Sequence, residues 1–185
     1  ARLALPFALA GIFVKIYSYV DTLLLEHFHN TTVIGHYAVA YKVTYAFQFL
    51  PLTFVAALYP GLSSAHAEGN REALRSVFQG SLRLMMLTSI PVAVGLSVFS
   101  AWIPWLYGRS YQGAVLPLAI LSWVLIPIFL DFPIGSLLNA THRAGYKTTG
   151  MGIAMVVNAI GNIVLVPRLG AVGAAWSGVM SFTLL

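Results

Sequence analysis

Phe13-Val14-Lys15-Ile16-Tyr17-Ser18-Tyr19-Val20-Asp21-Thr22-Leu23-Leu24-Leu25 places two charges inside the first long apolar run of the chain, Leu3–Leu25. A charge near a bilayer centre costs about 2.5 kcal/mol or several times that, so it ordinarily faces a protein interior or a water-filled cavity. Read as a membrane span, this run describes a passage rather than an anchor. Lys15 and Asp21 are six positions apart, which at about 100° per residue sets them about 120° apart around a helix. They do not pair within the helix. Each is expected to look into a shared cavity or to meet a partner on another helix, unless Lys15 snorkels and Asp21 sits shallow at the interface.

Composition makes the membrane reading firm. The 185 residues are 59% hydrophobic and 8% charged, with a mean hydropathy of +0.84. Soluble domains carry about 25% charged residues, so this chain lacks a surface that water would tolerate. Nine Pro and sixteen Gly are spread through the apolar runs, a pattern that membrane helices accept. Without cysteine there is neither a disulfide nor a thiolate metal site. The net charge of +5 is scattered and forms no basic run for nucleic acid. The chain opens on Ala1-Arg2 and stops at Leu184-Leu185 within an apolar run, so residues 1–185 are expected to be a fragment.

About 20 helical residues cross a bilayer core. Six candidate spans follow: Leu3–Leu25; Val33–Tyr59, interrupted by Pro51 and ended by Pro60-Gly61; Leu82–Trp105, with Pro91 and Gly95 inside; Ala114–Leu138, broken near Asp131 between Pro127 and Pro133; Thr148–Val166; and an incomplete one from Ala171. Hydrophilic loops are expected at Glu26–Thr32, Ser63–Arg75, Tyr107–Gly113 and Asn139–Lys147. Arg2, Arg71, Arg75, Arg83, Arg143 and Lys147 fall on one side, and only Arg109 and Arg168 on the other. Positive charge stays inside, which predicts a cytoplasmic N-terminus. Val33-Ile34-Gly35-His36-Tyr37-Ala38 and Ala171-Val172-Gly173-Ala174-Ala175-Trp176 run loosely alike, either as an internal repeat or because small residues are common where membrane helices pack.

The polar residues inside the spans are the candidates for chemistry. Asn158 and Asn162 share one helix face. With Asp21 and hydroxyls such as Ser177 or Ser181 they make an oxygen cage suited to a small hard cation; alone, they serve as interhelical hydrogen-bond glue. Lys42 has Tyr41 and Tyr45 beside it on a helix that also carries Tyr37. A cation in a cavity suits an anionic passenger and tyrosines suit sugar rings, whereas a Tyr/Lys anchor at the interface is the plainer alternative. His27-x-His29 is a weak metal pattern. No catalytic constellation stands on an exposed loop, so an enzyme is not expected.

Five segments, in order, resemble the second half of bacterial polysaccharide flippases of the multidrug/oligosaccharidyl-lipid/polysaccharide exporter superfamily: Asp21–Leu25, Val33–Lys42, Leu50–Ser63, Leu106–Tyr111 and Asn162–Ala175. The resemblance implies an all-α polytopic bundle of about six spans, the C-terminal lobe of a two-lobe transporter whose N-terminal lobe lies elsewhere in the same chain. It implies carriage of a polyprenyl-diphosphate-linked oligosaccharide (for O-antigen or other exopolysaccharide) from cytoplasm to periplasm by alternating access in the bacterial inner membrane. Membrane lipids and other polysaccharide-assembly membrane proteins are the further partners expected.

Related lipid II flippases hold sodium in this lobe, and Asp21, Asn158 and Asn162 match that set by position, with Na+ or H+ as the coupling ion. Lys15 and Lys42 are assigned to the diphosphate, with Tyr37 and Tyr41 beside the sugar. Pro51, Pro91 and Pro133 are the expected bends. A multidrug cation exporter of the same superfamily is the rival, and a membrane ligase or polymerase acting on polyprenyl-linked sugars is a second.

Overall fold

The computed structural model describes the backbone of residues 4–185, so Arg2 and the start of the first run at Leu3 lie outside the described residues. Every regular element described is helical: α1 Ala4–Phe28, α2 Thr31–Ala46, α3 Phe49–Ala67, α4 Arg71–Val98, α5 Ile103–Leu106, α6 Val115–Leu121, α7 Leu125–Ala140, α8 Ala144–Leu169 and α9 Ala171–Thr183. Short 3-10 turns at Phe99–Ala101, Arg109–Ala114 and Ser122–Val124 join the pieces of the middle passes. Thr31–Ala67, Arg71–Ala101, Arg109–Ala140 and Ala144–Leu169 are each long and apolar enough to cross a membrane. With α1 before them and the 13-residue α9 after, the chain is an all-α bundle with four such spans among the described residues.

Two groups of helices make up the bundle. In one, α1 packs along α8, α8 along α9, and α6 and α2 close against α9. Its core holds Leu25, Tyr37, Leu118, Leu121, Val166 and Ala174. In the other, α3, α4 and α7 pack on each other around Met85, Leu96, Leu125, Ile128 and Phe129. Small residues let α8 and α9 approach backbone to backbone. A Cβ on Gly173 would stand 2.5 Å from the Leu165 carbonyl oxygen, and one on Gly161 would stand 2.9 Å from Ser177 Oγ. Gly35, its loose counterpart in α2, meets only an ordinary contact with Tyr111 at 3.6 Å, so the two glycines have different duties.

The expected helix boundaries need correction in four places. The second pass breaks at Phe47-Gln48 and not at Pro51. Pro51 lies in the first turn of α3, where a missing N–H costs nothing because that group has no intrahelical acceptor. Pro60-Gly61 does not end the pass either, for α3 runs on to Ala67. The hydrophilic stretch Ser63–Arg75 is almost entirely helical. Gly69, at φ 68°, turns the chain while Asn70 N bonds back to Ala65 O at 3.0 Å, and the Asn70 side chain then caps α4 by accepting from Ala73 N at 3.0 Å. The fourth pass breaks at Ser122–Val124 rather than near Asp131. Pro127 again sits in a first turn, and α7 continues through Asp131 and Pro133.

Side-chain contacts mark the two ends of the bundle. At one end His29 Nε2, just past α1, donates to Val166 O of α8 at 2.7 Å, and His36 Nε2 of α2 donates to Ser110 O at 2.9 Å. At the other, His66 of α3 faces His142 after α7, ring centroids 6.3 Å apart. The chain alternates between these ends from one pass to the next.

Candidate functional site

Asp21 is 3% exposed, on the face of α1 that lies against α8. The turn into α2 fixes that docking: Asn30 caps α2 by accepting from Val33 N at 3.1 Å, and His29 ties the end of α1 to α8. Three helices then converge on one carboxylate. Tyr37 of α2 donates its hydroxyl to Asp21 Oδ2 at 2.5 Å. Asn162 of α8 donates Nδ2 to Asp21 Oδ1 at 2.6 Å, and the same nitrogen lies 3.1 Å from Asn158 Oδ1 and 2.9 Å from Asn158 O. Short bonds to an ionised acceptor are the strong kind.

No basic side chain pairs with this carboxylate among the described residues, where the ion pair found is Lys147–Asp131. A buried charge is ordinarily matched by an opposite one, because neutral donors recover only part of its lost hydration. Other buried polar atoms are unpartnered among the described residues: Asn162 Oδ1 and Asn158 Nδ2 on the residues grouped with the carboxylate, Ser177 Oγ against Gly161, and Thr44 Oγ1 two turns along α2 from Tyr37. Buried polar atoms without partners are uncommon and ask for an explanation. One carboxylate with neutral amide and hydroxyl oxygens is the donor chemistry of a site for a single hard cation. No cluster of three His, Cys, Asp or Glu occurs among the described residues, so a site for a softer metal has no basis there.

The expected residues sort as follows. Asp21, Asn158 and Asn162 come together. Tyr37, grouped in the sequence with Lys42, belongs to Asp21 instead; it is 3% exposed and its hydroxyl is engaged. Tyr41 is half-buried and stacks on Tyr45, with centroids 4.0 Å apart and planes 17° apart. Lys15 and Lys42 are both exposed on the lobe, and Lys15 Nζ stands 6.0 Å from the ring of Tyr19, four residues on. The angle between Lys15 and Asp21 therefore separates an outward charge from an inward one. His27 and His29 do not converge: His27 sets its ring edge-on to Phe28 while His29 bonds Val166 O.

Lys147 was missed. It lies in the first turns of α8, not in a loop, and its Nζ pairs with Asp131 Oδ2 at 3.2 Å in a half-buried position. Gly135, two residues beyond Pro133 on α7, supplies the space: a Cβ there would run into the Lys147 amine.

A family model described as MatE matches residues 6–167. The "Probable flippase AglR" of Haloferax volcanii is 30% identical over 91% of this chain and 36% of its own length. The "Probable multidrug resistance protein NorM" of Caulobacter vibrioides is 25% identical over 100% of this chain and 41% of its own. A solved structure of a MOP superfamily transporter from Pyrococcus furiosus superposes with a TM-score of 0.81 at 17% identity, over 98% of this chain and 41% of that one. The chain thus spans little more than a third of the length of the curated relatives it matches.

Proposed function

The chain belongs to the MatE family, and on that premise we propose that it is the C-terminal lobe of a flippase that carries a polyprenyl-diphosphate-linked oligosaccharide from the cytoplasmic to the periplasmic leaflet of a bacterial inner membrane. The observation that carries the coupling half of this reading is the buried carboxylate without a basic partner among the described residues. Tyr37 and Asn162 hold Asp21 ready, and Asn162 Oδ1 and Ser177 Oγ remain available to a cation or a proton relay. Because α1, α2 and α8 all reach this carboxylate, loading it alters the contacts among three helices at once. A ligand shifts a conformational equilibrium only through such a difference in contacts.

Exposed Lys15 and Lys42 are suited to receive the diphosphate from a cavity shared with the other lobe, and α1 would begin on the cytoplasmic side. The lipid-linked sugar is favoured over a drug by the higher identity to a flippase, 30% against 25% for the multidrug relative. A multidrug exporter remains the second reading, since one relative carries that description and a buried carboxylate also suits a cationic drug.

Asp21→Asn in the full-length protein tests the proposal. Accumulation of flipped lipid-linked sugar should fall by at least about tenfold at equal expression, the effect of losing about 1.4 kcal/mol of coupling. Undiminished transport would sink the coupling role. Loss of drug efflux with intact sugar flipping would favour the exporter.

A further inference from the structure

Two adjoining hollows lie beside the link between α4 and α6, away from Asp21. The first, about 520 Å³, is lined by apolar atoms of Phe47, Pro91, Gly95, Leu96, Phe99 and Trp102 among others. The second, about 560 Å³, is bounded by Ala101, Trp102, Trp105, Arg109 and Gln112. Trp102 and Trp105 border both, so the two form one groove, apolar along α4 and cationic where the chain turns into the Arg109–Ala114 segment. Each volume lies within the range of about 300–1,000 Å³ usual for small-molecule sites.

Physical causes for the groove are local. The break at Phe47-Gln48 turns α3 away from α2, and Gly95 leaves a notch in α4, for a Cβ there would meet no atom within 4 Å. Trp102 and Trp105 remain 74% and 59% exposed at the helix end, the depth at which indole rings settle between hydrocarbon and headgroups. Arg109 has no carboxylate partner among the described residues. An apolar channel as deep as the α4 helix end, flanked by indoles and finished by a free guanidinium, matches an acyl chain joined to a phosphate.

We propose that this groove binds one anionic phospholipid of the bilayer, its acyl chain along Pro91, Gly95 and Phe99 and its phosphate on Arg109. Charge complementarity selects the occupant, since a zwitterionic lipid gains less from a lone cation whose field it carries its own ammonium against.

Tryptophan fluorescence tests it, using full-length protein with every Trp but Trp102 and Trp105 replaced by Phe. The protein is placed in phosphatidylcholine vesicles containing a minority of phosphatidylglycerol brominated on its acyl chains, or of equally brominated phosphatidylcholine. Quenching should set in at a mole fraction about fivefold lower for the anionic lipid, and Arg109→Gln should erase that preference. Gly95→Leu, whose Cβ would meet no atom within 4 Å, should weaken quenching by both lipids. Equal quenching by the two lipids would overturn the proposal, as would a preference that survives Arg109→Gln. Absence of quenching by either would show the groove covered by protein. Displacement of the brominated lipid by equimolar polyprenyl phosphate would assign the groove to the passenger's tail instead.

Discussion

The two carboxylates inside the spans are held in opposite ways. Asp131, on α7, meets Lys147 across a glycine that leaves room for the lysine, and the pair stays about one-fifth exposed. Asp21, on α1, is 3% exposed and has a phenol and an amide as partners. The first is a balanced pair that fastens α7 to α8, where few other contacts join them. The second keeps an unmatched charge in the other helix group, among buried oxygens with free lone pairs. Neutral partners satisfy geometry but leave the charge available, and that separates a site from a fastener.

The largest effect expected from breaking the contrast is the one on transport. Asp21→Asn should abolish coupling while leaving the melting temperature in detergent within a few degrees of the parent. The Asn162 amide, whose Oδ1 is unpartnered, can turn to accept from the new side chain, and the substitution removes the cost of burying a charge that has no basic partner among the described residues. A large fall in melting temperature would reclassify Asp21 as structural.

Next comes Tyr37→Phe. Removing a donor to a charged acceptor should cost about 1.5–3 kcal/mol of stability with Asp21 present, and much less in an Asp21→Asn background. Equal costs in both backgrounds, measured by chemical denaturation, would mean the hydroxyl matters for something other than the carboxylate. Lys147→Gln should cost less, about 1 kcal/mol, because water screens a pair with this exposure. Adding Asp131→Asn should recover most of that loss, whereas no second substitution should recover transport after Asp21→Asn.

Much of the site was legible in the sequence because charge in an apolar run is costly, and an i, i+4 spacing fixes a shared face. The first marks Asp21 together with Lys15 and Lys42, which turn out to be exposed, and the second puts Asn158 beside Asn162. Tyr37 was legible only by half. Its spacing to Tyr41 places the two rings as neighbours, and they lie 6.0 Å apart. That spacing says nothing of which helix the face meets, and the face meets α1 at Asp21. The second pass breaks at Phe47-Gln48 and not at Pro51 because Pro disrupts a helix interior but is accommodated in a first turn, where Pro51 stands. Lys147 was hidden by hydropathy, which trims polar ends from helices. Here α8 begins at Ala144, so the lysine is on the helix and within reach of Asp131.

The smallest effect is the most discriminating for the balanced pair. Gly in a helix interior costs about 0.5–1 kcal/mol relative to Ala, so Gly135→Ala should stabilise α7 if the glycine has no duty. A methyl there would occupy the place of the Lys147 amine and stand 3.1 Å and 3.2 Å from its Cδ and Cε. All three atoms belong to the far part of a flexible side chain, so the lysine can retreat, but only by loosening its bond to Asp131. In the parent protein the propensity gain and the weakened pair should nearly cancel, leaving a net change under about 0.5 kcal/mol. With Lys147→Ala as background the second term vanishes, and the same substitution should stabilise by about 0.5–1 kcal/mol. If Gly135→Ala stabilises both backgrounds alike, the glycine does not make room for the lysine. The tie between α7 and α8 would then rest on the Asp131–Lys147 bond alone.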